Sequence, residues 1–353
     1  MRWLRWLLVA VPASWILAWL GAPPLAVFLA SGIAVVPLAA AMGEATEVLA
    51  ARAGPAAGGL LNATFGNAAE LIVAIVALRA GLVDLVKASL TGSILGNLLL
   101  ILGLVLVAGG LRRPTLTFNR TAAGMSGAML LLAVAGLAVP ALFALAHPAA
   151  APEAALHLSE GVALVLGFTY AASLVFSLVT HRDLFHAPEP QEQGGKDSRG
   201  GKGGMLIPVA TLVVATAVIA VESEILVHAT EAVVHRLGLS ELFLGLIVIP
   251  LIGNAAEHAT AVVVARRGQT DLALHIALGS STQVALFVAP VLVAVGVLLG
   301  RPMSLVFTGF EVVALGFASL IVTVIALDGE SHWFEGAQLL ALYALIALAV
   351  WFI

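Results

Sequence analysis

The sequence contains no cysteine and very little charge. Only 10% of its 353 residues are Asp, Glu, Lys or Arg, against about 25% in soluble globular proteins. The absence of cysteine excludes disulfides and thiolate metal sites. The shortage of charge excludes a soluble enzyme and a disordered chain, and 16 basic against 20 acidic residues provide no basic surface for nucleic acid. With 61% apolar residues and a mean hydropathy of +1.10, the composition is that of a polytopic membrane protein.

Eleven apolar stretches are long enough to cross a bilayer, which takes about 20 mostly apolar residues per helix. They predict an all-α polytopic membrane protein with eleven transmembrane helices, placed in the inner (plasma) membrane of the cell. We expect these helices at 4–21, 24–50, 57–79, 83–110, 122–145, 155–179, 205–235, 241–265, 271–299, 304–327 and 332–352.

The basic residues divide unevenly between the two ends of these helices. Because Lys and Arg favour cytoplasmic loops, the larger group predicts a cytoplasmic N-terminus and, after eleven spans, a C-terminus outside. The larger group is Arg2, Arg5, Arg52, Arg112, Arg113, Arg120, Arg182, Lys196, Arg199, Lys202, Arg266 and Arg267. The smaller group is Arg79, Lys87, Arg236 and Arg301.

Short motifs occur twice, in the same order, on either side of one long polar stretch. The matched pairs are Ala45–Glu47 with Ala229–Glu231, Gly66–Glu70 with Gly253–Glu257 (both GNAAE), Asp84 with Asp271, and Gly92-Ser93 with Gly279-Ser280. The polar stretch, 181–204, has the Gly, Pro and charge content of a flexible cytoplasmic linker. Four ordered matches at nearly one offset indicate an internal repeat.

The repeat predicts how the chain is divided. We expect an extra first helix at 1–21, a first repeat at 24–180 (helices 2–6), the linker, and a second repeat at 205–353 (helices 7–11). Five spans is an odd number, so the second repeat enters the membrane inverted relative to the first. Secondary transporters have this architecture, and their sites lie near the midplane between the repeats.

Two glutamates, Glu70 and Glu257, lie in the middle of predicted spans, where a charge costs about 2.5–3.5 kcal/mol even on a lenient scale. Asn67 and Asn254 precede them at i−3, so each amide shares a helix face with its carboxylate. Pro250 removes a backbone donor near the second motif and frees a carbonyl. Converging carboxylate and amide oxygens are the ligands that Ca²⁺ prefers, and the sequence therefore predicts a cation and proton site here.

Further ionisable residues lie on the second and seventh predicted spans. We expect them to line an aqueous route that attracts cations or relays protons, although residues near helix ends also meet headgroups. They are Glu44, Glu47, Glu224, His228 and Glu231. Glu222 points away from the stripe formed by Glu224, His228 and Glu231, and we expect it at the headgroups.

Neutral polar side chains on the fourth and ninth spans are expected to hold the two glutamates by hydrogen bonds. They are Ser93, Asn97, Ser280, Ser281 and Gln283, with His258 beside Glu257. Hydrogen bonding between helices alone would also explain them.

At these motifs the chain resembles the calcium/proton exchanger (CAX) family of the cation/calcium antiporter superfamily. The resemblance rests on GNAAELIVAI at 66–75, GLIVIPLIGNAAEHATAV at 245–262, GEATE at 43–47, GSSTQVALFVAP at 279–290 and DGESHWFEG at 328–336. It implies two inverted five-helix repeats after an extra first helix, and central glutamates that bind Ca²⁺ in alternation with protons. By motif, Glu70 and Glu257 are that pair. The acidic central-loop helix of many eukaryotic members is missing, which puts regulation through that loop in doubt.

The interpretation is a Ca²⁺/H⁺ antiporter with no cofactor, in which one Ca²⁺ or two protons neutralise the glutamate pair. Burial and mutual repulsion both favour the protonated form of such a pair. Exchange coupled to Na⁺ or K⁺, or selective for Mn²⁺ or Cd²⁺, remains open on the same fold. A passive channel also remains open. An intramembrane enzyme is disfavoured because the sequence lacks HExxH, a recurring Ser–His pair and cysteine.

Overall fold

Helices make up nearly the whole structure, a computed structural model that describes residues 2–149, 151–181 and 205–353. The predicted linker therefore lies outside the described residues from position 182 onward. A 3₁₀ segment, Arg2–Val9, precedes the first α-helix.

In the first half of the chain the helices are α1 Ala10–Trp19, α2 Pro24–Ala53, α3 Pro55–Phe65, α4 Ala68–Arg79, α5 Val83–Leu95, α6 Leu102–Gly110, α7 Arg120–Ala146 and α8 Pro152–Val175. In the second half they are α9 Leu206–Leu237, α10 Glu241–Phe243, α11 Ile249–Gly253, α12 Ala255–Arg266, α13 Thr270–Gln283, α14 Ala289–Leu298, α15 Gly309–Ala326 and α16 Trp333–Trp351. Wider π-helical turns lie at Gly96–Ile101, Phe176–Thr180, Leu244–Val248 and Val284–Val288.

The predicted all-α membrane fold is confirmed. Among the described residues, eight helical segments are long and apolar enough to cross a membrane, and two bent helix pairs raise the number to ten. The first apolar helix, Trp6–Trp19, is shorter than a usual span. The count of eleven spans thus stays a prediction that depends on this helix.

Loops that the predicted topology assigns to one membrane side meet in the structure. Strand β1 (Leu116–Thr117) pairs antiparallel with β2 (Glu330–Ser331), in the register Leu116 with Ser331. The backbone N–H of Asn119 donates to Asp271 Oδ1 at 2.6 Å. These three loops all belong to the side predicted to be cytoplasmic. The contacts agree with the predicted alternation of spans, and the assignment of that side to the cytoplasm remains a prediction.

The interior of the bundle is made by the helices that carry the repeated motifs. The continuous segment Val83–Gly110 is the most buried of the spans, whereas α8 turns large apolar side chains such as Leu164 and Phe168 outward. In a bilayer that exposed apolar surface faces lipid. Helices α2 and α9, the second and seventh predicted spans, pack along each other and flank the interior.

Candidate functional site

Both GNAAE motifs lie where a helix breaks and restarts. The axes of α3 and α4 differ by 43° across Asn67, and those of α10–α11 and α12 differ by 61° across Asn254. Glu70 and Glu257 consequently lie in the first turn of α4 and α12. A helix N-terminus carries partial positive charge, which favours a nearby carboxylate. The break is how the sequence tolerates two acids inside an apolar bundle.

The larger bend follows a stretch in which Pro250 alters the hydrogen bonding of the helix. Proline has no N–H, so Leu246 loses its i+4 donor, and the helix forms a π-helical turn over Leu244–Val248 just before it. A Cβ at Gly92 of α5 would overlap the carbonyl oxygen of Leu246. Only glycine lets α5 lie this close to that backbone, and the close approach places Ser93 beside the break.

Glu70 is half-buried and is held by residues of both repeats. Its Oε1 accepts hydrogen bonds from Ser93 Oγ at 2.7 Å and from Asn254 Nδ2 at 2.6 Å. Its Oε2 is inaccessible to solvent and has no hydrogen-bond partner among the described residues. A buried carboxylate oxygen without a partner is costly, and it is available to a proton or a cation.

A cavity of about 20 Å³, large enough for one water-sized occupant, lies against Glu70. Its wall includes Ser89 and Ser93 of α5, Val35 of α2 and Leu226 of α9. The two flanking helices therefore border the space next to the glutamate.

Glu257 is half-buried and has a different set of partners. Ser280 Oγ lies 3.1 Å from its Oε2 and 3.3 Å from Asn67 Oδ1, while accepting from Asn97 Nδ2 at 3.0 Å. Ser280 matches Ser93 by the repeat offset, so each carboxylate accepts a hydrogen bond from the equivalent serine.

Beyond the matching serines, the polar contacts around Glu257 differ from those around Glu70. Asn67 Nδ2 donates to Gln283 Oε1 at 2.6 Å, whereas its repeat partner Asn254 donates to Glu70. His258 Nε2 lies 3.1 Å from Asn97 Oδ1. Counted by the repeat offset, Gln283 corresponds to a glycine and His258 to a leucine. The two halves are thus alike in their backbone breaks and unlike in how the carboxylates are oriented.

The arrangement suits a cation that takes mixed oxygen ligands. Carboxylate oxygens of Glu70 and Glu257 lie beside amide and hydroxyl groups, and among the described residues no three His, Cys, Asp or Glu side chains cluster as a metal site. Hard cations such as Ca²⁺ accept that combination. Two negative charges also accept two protons, which gives two ways of neutralising one site.

The predicted route residues do not join this network. Glu44, Glu47, Glu224, His228 and Glu231 are exposed on α2 and α9. Glu44 lines a cavity of about 340 Å³ between these two helices and the N-terminal segment, and Glu224 lies 3.6 Å from Arg79 of α4. Their role as a route or gate remains a prediction.

Ser281 and Glu222 lie away from their expected contacts, and a third polar residue, Glu311, had no assigned place. Ser281 donates to the carbonyl of Ala277 in its own helix at 2.9 Å and is not among the partners of either glutamate. Glu311 is buried, caps α15 through Thr308 and accepts from Thr91 at 3.0 Å. Glu222 is 0% exposed and packs against the first helix, so the expectation that it meets headgroups is wrong. Its position near the middle of the predicted span 205–235 was the sequence feature that could have predicted burial away from the headgroups.

Comparison with known proteins gives consistent results over nearly the whole chain. The family model "Sodium/calcium exchanger protein" matches residues 23–179 and 207–352. A Ca²⁺/H⁺ antiporter of Synechocystis sp. is 46% identical, covering 98% of this chain and 96% of its own length. The Ca²⁺/H⁺ antiporter ChaA of Bacillus subtilis is 42% identical, with 96% and 95% covered. The solved structure of native YfkE superimposes with a TM-score of 0.86 at 38% identity, covering 99% of this chain and 100% of that one.

Proposed function

The chain belongs to the sodium/calcium exchanger protein family, and we propose that it is a secondary antiporter that exchanges Ca²⁺ for protons by alternating access. The relatives named Ca²⁺/H⁺ antiporters support the choice of ions. The observation that carries the proposal is the pair Glu70 and Glu257, each in the first turn after a helix break. Glu70 Oε2 is buried and has no hydrogen-bond partner in the described parts of the chain.

Exchange follows from the charge of this pair. Two ionised carboxylates close together in an apolar bundle repel each other and are poorly solvated. One Ca²⁺ or two protons cancel that charge equally well. The loaded forms therefore cross the membrane barrier more easily than the empty form, and this difference couples the two ions. Asn67, Asn254, Ser93 and Ser280 would supply neutral oxygens and orient the carboxylates.

Alternating access requires a part of the molecule that moves against the site. Helices α2 and α9 flank the interior, and Val35 and Leu226 border the cavity at Glu70. A small displacement of this pair would open that cavity to one side. In the predicted orientation, with the N-terminus in the cytoplasm of the cell, the proton gradient across the plasma membrane would then drive Ca²⁺ out.

The test is Ca²⁺ uptake into everted membrane vesicles under an imposed proton gradient. Wild type is expected to accumulate ⁴⁵Ca²⁺ and to lose it when the gradient is collapsed. Glu70→Gln and Glu257→Gln are expected to abolish uptake, since each leaves one charge to balance Ca²⁺. Glu153→Gln, at an exposed position at the start of α8, is the matched control and should retain wild-type uptake.

The same vesicles distinguish the alternatives. Uptake driven by a Na⁺ or K⁺ gradient at uniform pH would show that this ion, and not the proton, is the coupling ion. If Mn²⁺ or Cd²⁺ inhibits ⁴⁵Ca²⁺ uptake at a lower concentration than unlabelled Ca²⁺ does, that cation is the main substrate. Flux down the Ca²⁺ gradient that is indifferent to every counter-ion would indicate a channel. Coupled exchange that persists in both Gln variants would overturn the assignment of the site.

A further inference from the structure

Glu222 is a buried acid that the exchange mechanism does not use. It lies near the middle of the 32-residue helix α9, about 23 Å from either end at 1.5 Å per residue. Its carboxyl faces Ser14 of α1, and both residues are 0% exposed. The contact joins the extra first helix to a helix of the second repeat.

The hydrogen-bond geometry around Ser14 favours a protonated Glu222. Ser14 Oγ is 2.9 Å from Glu222 Oε1, 2.8 Å from Glu222 Oε2 and 2.8 Å from the carbonyl oxygen of Val11. A serine hydroxyl has one hydrogen and can donate it to one of these three oxygens. If Glu222 were ionised, this one hydrogen could not serve both the carboxylate and the carbonyl of Val11. Ser14 Oγ would then face one of them at hydrogen-bonding distance with no hydrogen between the two oxygens. A protonated carboxyl removes the conflict: it donates to Ser14 Oγ, and Ser14 donates to Val11.

Among the side chains that the structure describes, no positive charge lies beside Glu222. Helix α1 carries no titratable residue. Of the two other helices packed against α9, α2 contributes Glu44, Glu47 and Arg52, all in its last ten residues. Arg79, at the end of α4, pairs with Glu224 on another face of α9. Within the described parts of the chain, no cation lies within 4 Å of Glu222.

Glu70 of α4 is turned away, toward Ser93 and Asn254. Glu224, His228 and Glu231, the next ionisable residues along α9, are exposed. Although Ser14 and Trp15 can donate hydrogen bonds to it, an ionised Glu222 would therefore have no counter-charge among the described residues, at the depth where charge is most costly.

We propose that Glu222 is a proton-binding site separate from the exchange site, and that its neutral carboxyl, hydrogen-bonded to Ser14, fastens the first helix to α9. The first helix packs chiefly on α2 and α9, so this bond makes it part of the unit those helices form. The inference concerns one proton and one contact, and it does not depend on which ion the protein exchanges.

Infrared spectroscopy of the purified full-length protein tests the protonation state. In a Glu70→Gln/Glu257→Gln background, which removes the exchange-site acids, the C=O band of a protonated carboxyl is expected at neutral pH. Glu222→Gln should remove that component, whereas Glu224→Gln, at the exposed neighbour, should not. Ser14→Ala should shift the band because the hydrogen bond is lost. A spectrum unchanged by Glu222→Gln would show that Glu222 is ionised and would overturn the proposal.

Spin labels test the fastening directly, since the chain has no native cysteine. Nitroxides at Ile16→Cys and Val221→Cys, both at exposed positions, should give a narrow distance distribution in wild type and in Glu222→Gln, whose amide still bonds Ser14. Glu222→Leu and Ser14→Ala should broaden it. Equally narrow distributions in both of these variants would show that the contact does not hold the helix.

Discussion

Asn254 donates a hydrogen bond of 2.6 Å to Glu70 Oε1, so an amide of the second repeat orients the carboxylate of the first. The corresponding amide of the first repeat, Asn67, donates to Gln283 instead and leaves Glu257 to Ser280. Two copies of one five-residue motif therefore hold their glutamates differently. In an exchanger whose two ions use one site, this difference allows the carboxylates to have different roles.

Asn254→Ala is expected to weaken Ca²⁺ transport more than Asn67→Ala. A hydrogen bond to a charged group is worth about 1.5–3 kcal/mol and one between neutral groups about 0.5–1.5 kcal/mol. A loss of about 1.4 kcal/mol in binding free energy lowers the affinity tenfold. The Ca²⁺ concentration for half-maximal uptake should therefore rise roughly 10-fold or more for Asn254→Ala, and less for Asn67→Ala. Concentration series in everted vesicles measure both. An equal or reversed effect would contradict the asymmetry.

Asn67 and Gln283 are expected to act as one unit. Their side chains are joined by a 2.6 Å bond, and contacting residues commonly couple by about 0.5–3 kcal/mol. The apparent Ca²⁺ affinity of Asn67→Ala/Gln283→Ala should therefore fall by less than the two single changes combined. The pair Asn254→Ala and Gln283→Ala, which share no hydrogen bond in the structure, is the control and should be closer to additive. Strict additivity in the first pair would remove the proposed link.

Much of the fold and the centre of the site was predictable because both depend on local signals. Apolar length set the spans, and the duplicated GNAAE identified the glutamates with their asparagines. The inverted arrangement of the repeats stays a prediction. The structure brings Glu70, Ser93 and Asn254 into direct contact. Membership in the family agrees with the resemblance that these motifs gave.

Other features depend on contacts between helices and were not predictable from the sequence. Whether a mid-helix acid faces the site, a neighbouring helix or lipid is set by helix rotation, as Glu222 against Ser14 shows. Ser281 is adjacent to Ser280, yet it bonds its own backbone, because successive residues on a helix point about 100° apart. The helix breaks at Asn67 and Asn254 also could not be predicted from the length of the apolar segments, because each segment continues through its break.

Gly92→Ala is expected to destabilise the protein, whereas Gly279→Ala is not. These glycines occupy matching positions in the two repeats, but a Cβ at Gly92 would overlap the Leu246 backbone, and one at Gly279 would have no neighbour within 4 Å. Overpacking of this kind costs about 1–3 kcal/mol, and backbone cannot move aside as a flexible side chain can. Thermal unfolding of the purified protein in detergent should show a lower midpoint for Gly92→Ala alone. Equal midpoints would mean that α5 has room to move away.

A reversible cross-link between α2 and α11 is expected to stop transport. A Cβ at Gly32 would lie 2.8 Å from Ile252 Cδ1, so cysteines at 32 and 252 are close enough to form a disulfide. If α2 and α9 move against the helices that carry the glutamates, oxidation should abolish Ca²⁺ uptake by Gly32→Cys/Ile252→Cys and reduction should restore it.

The matched control links α2 to α9 within the proposed moving unit. Thr216 Oγ1 lies 3.6 Å from Met42 Sδ, so these side chains are in contact and Met42→Cys/Thr216→Cys introduces a cysteine pair between those two helices alone. Because the native chain has no cysteine, any effect of oxidation belongs to the introduced pair. Uptake should survive oxidation in this variant, because a bond inside a rigid unit does not hinder its displacement. If the Gly32–Ile252 disulfide formed fully and uptake continued, α2 would not be the element that opens the site. If both disulfides stopped uptake, α2 and α9 would have to move separately.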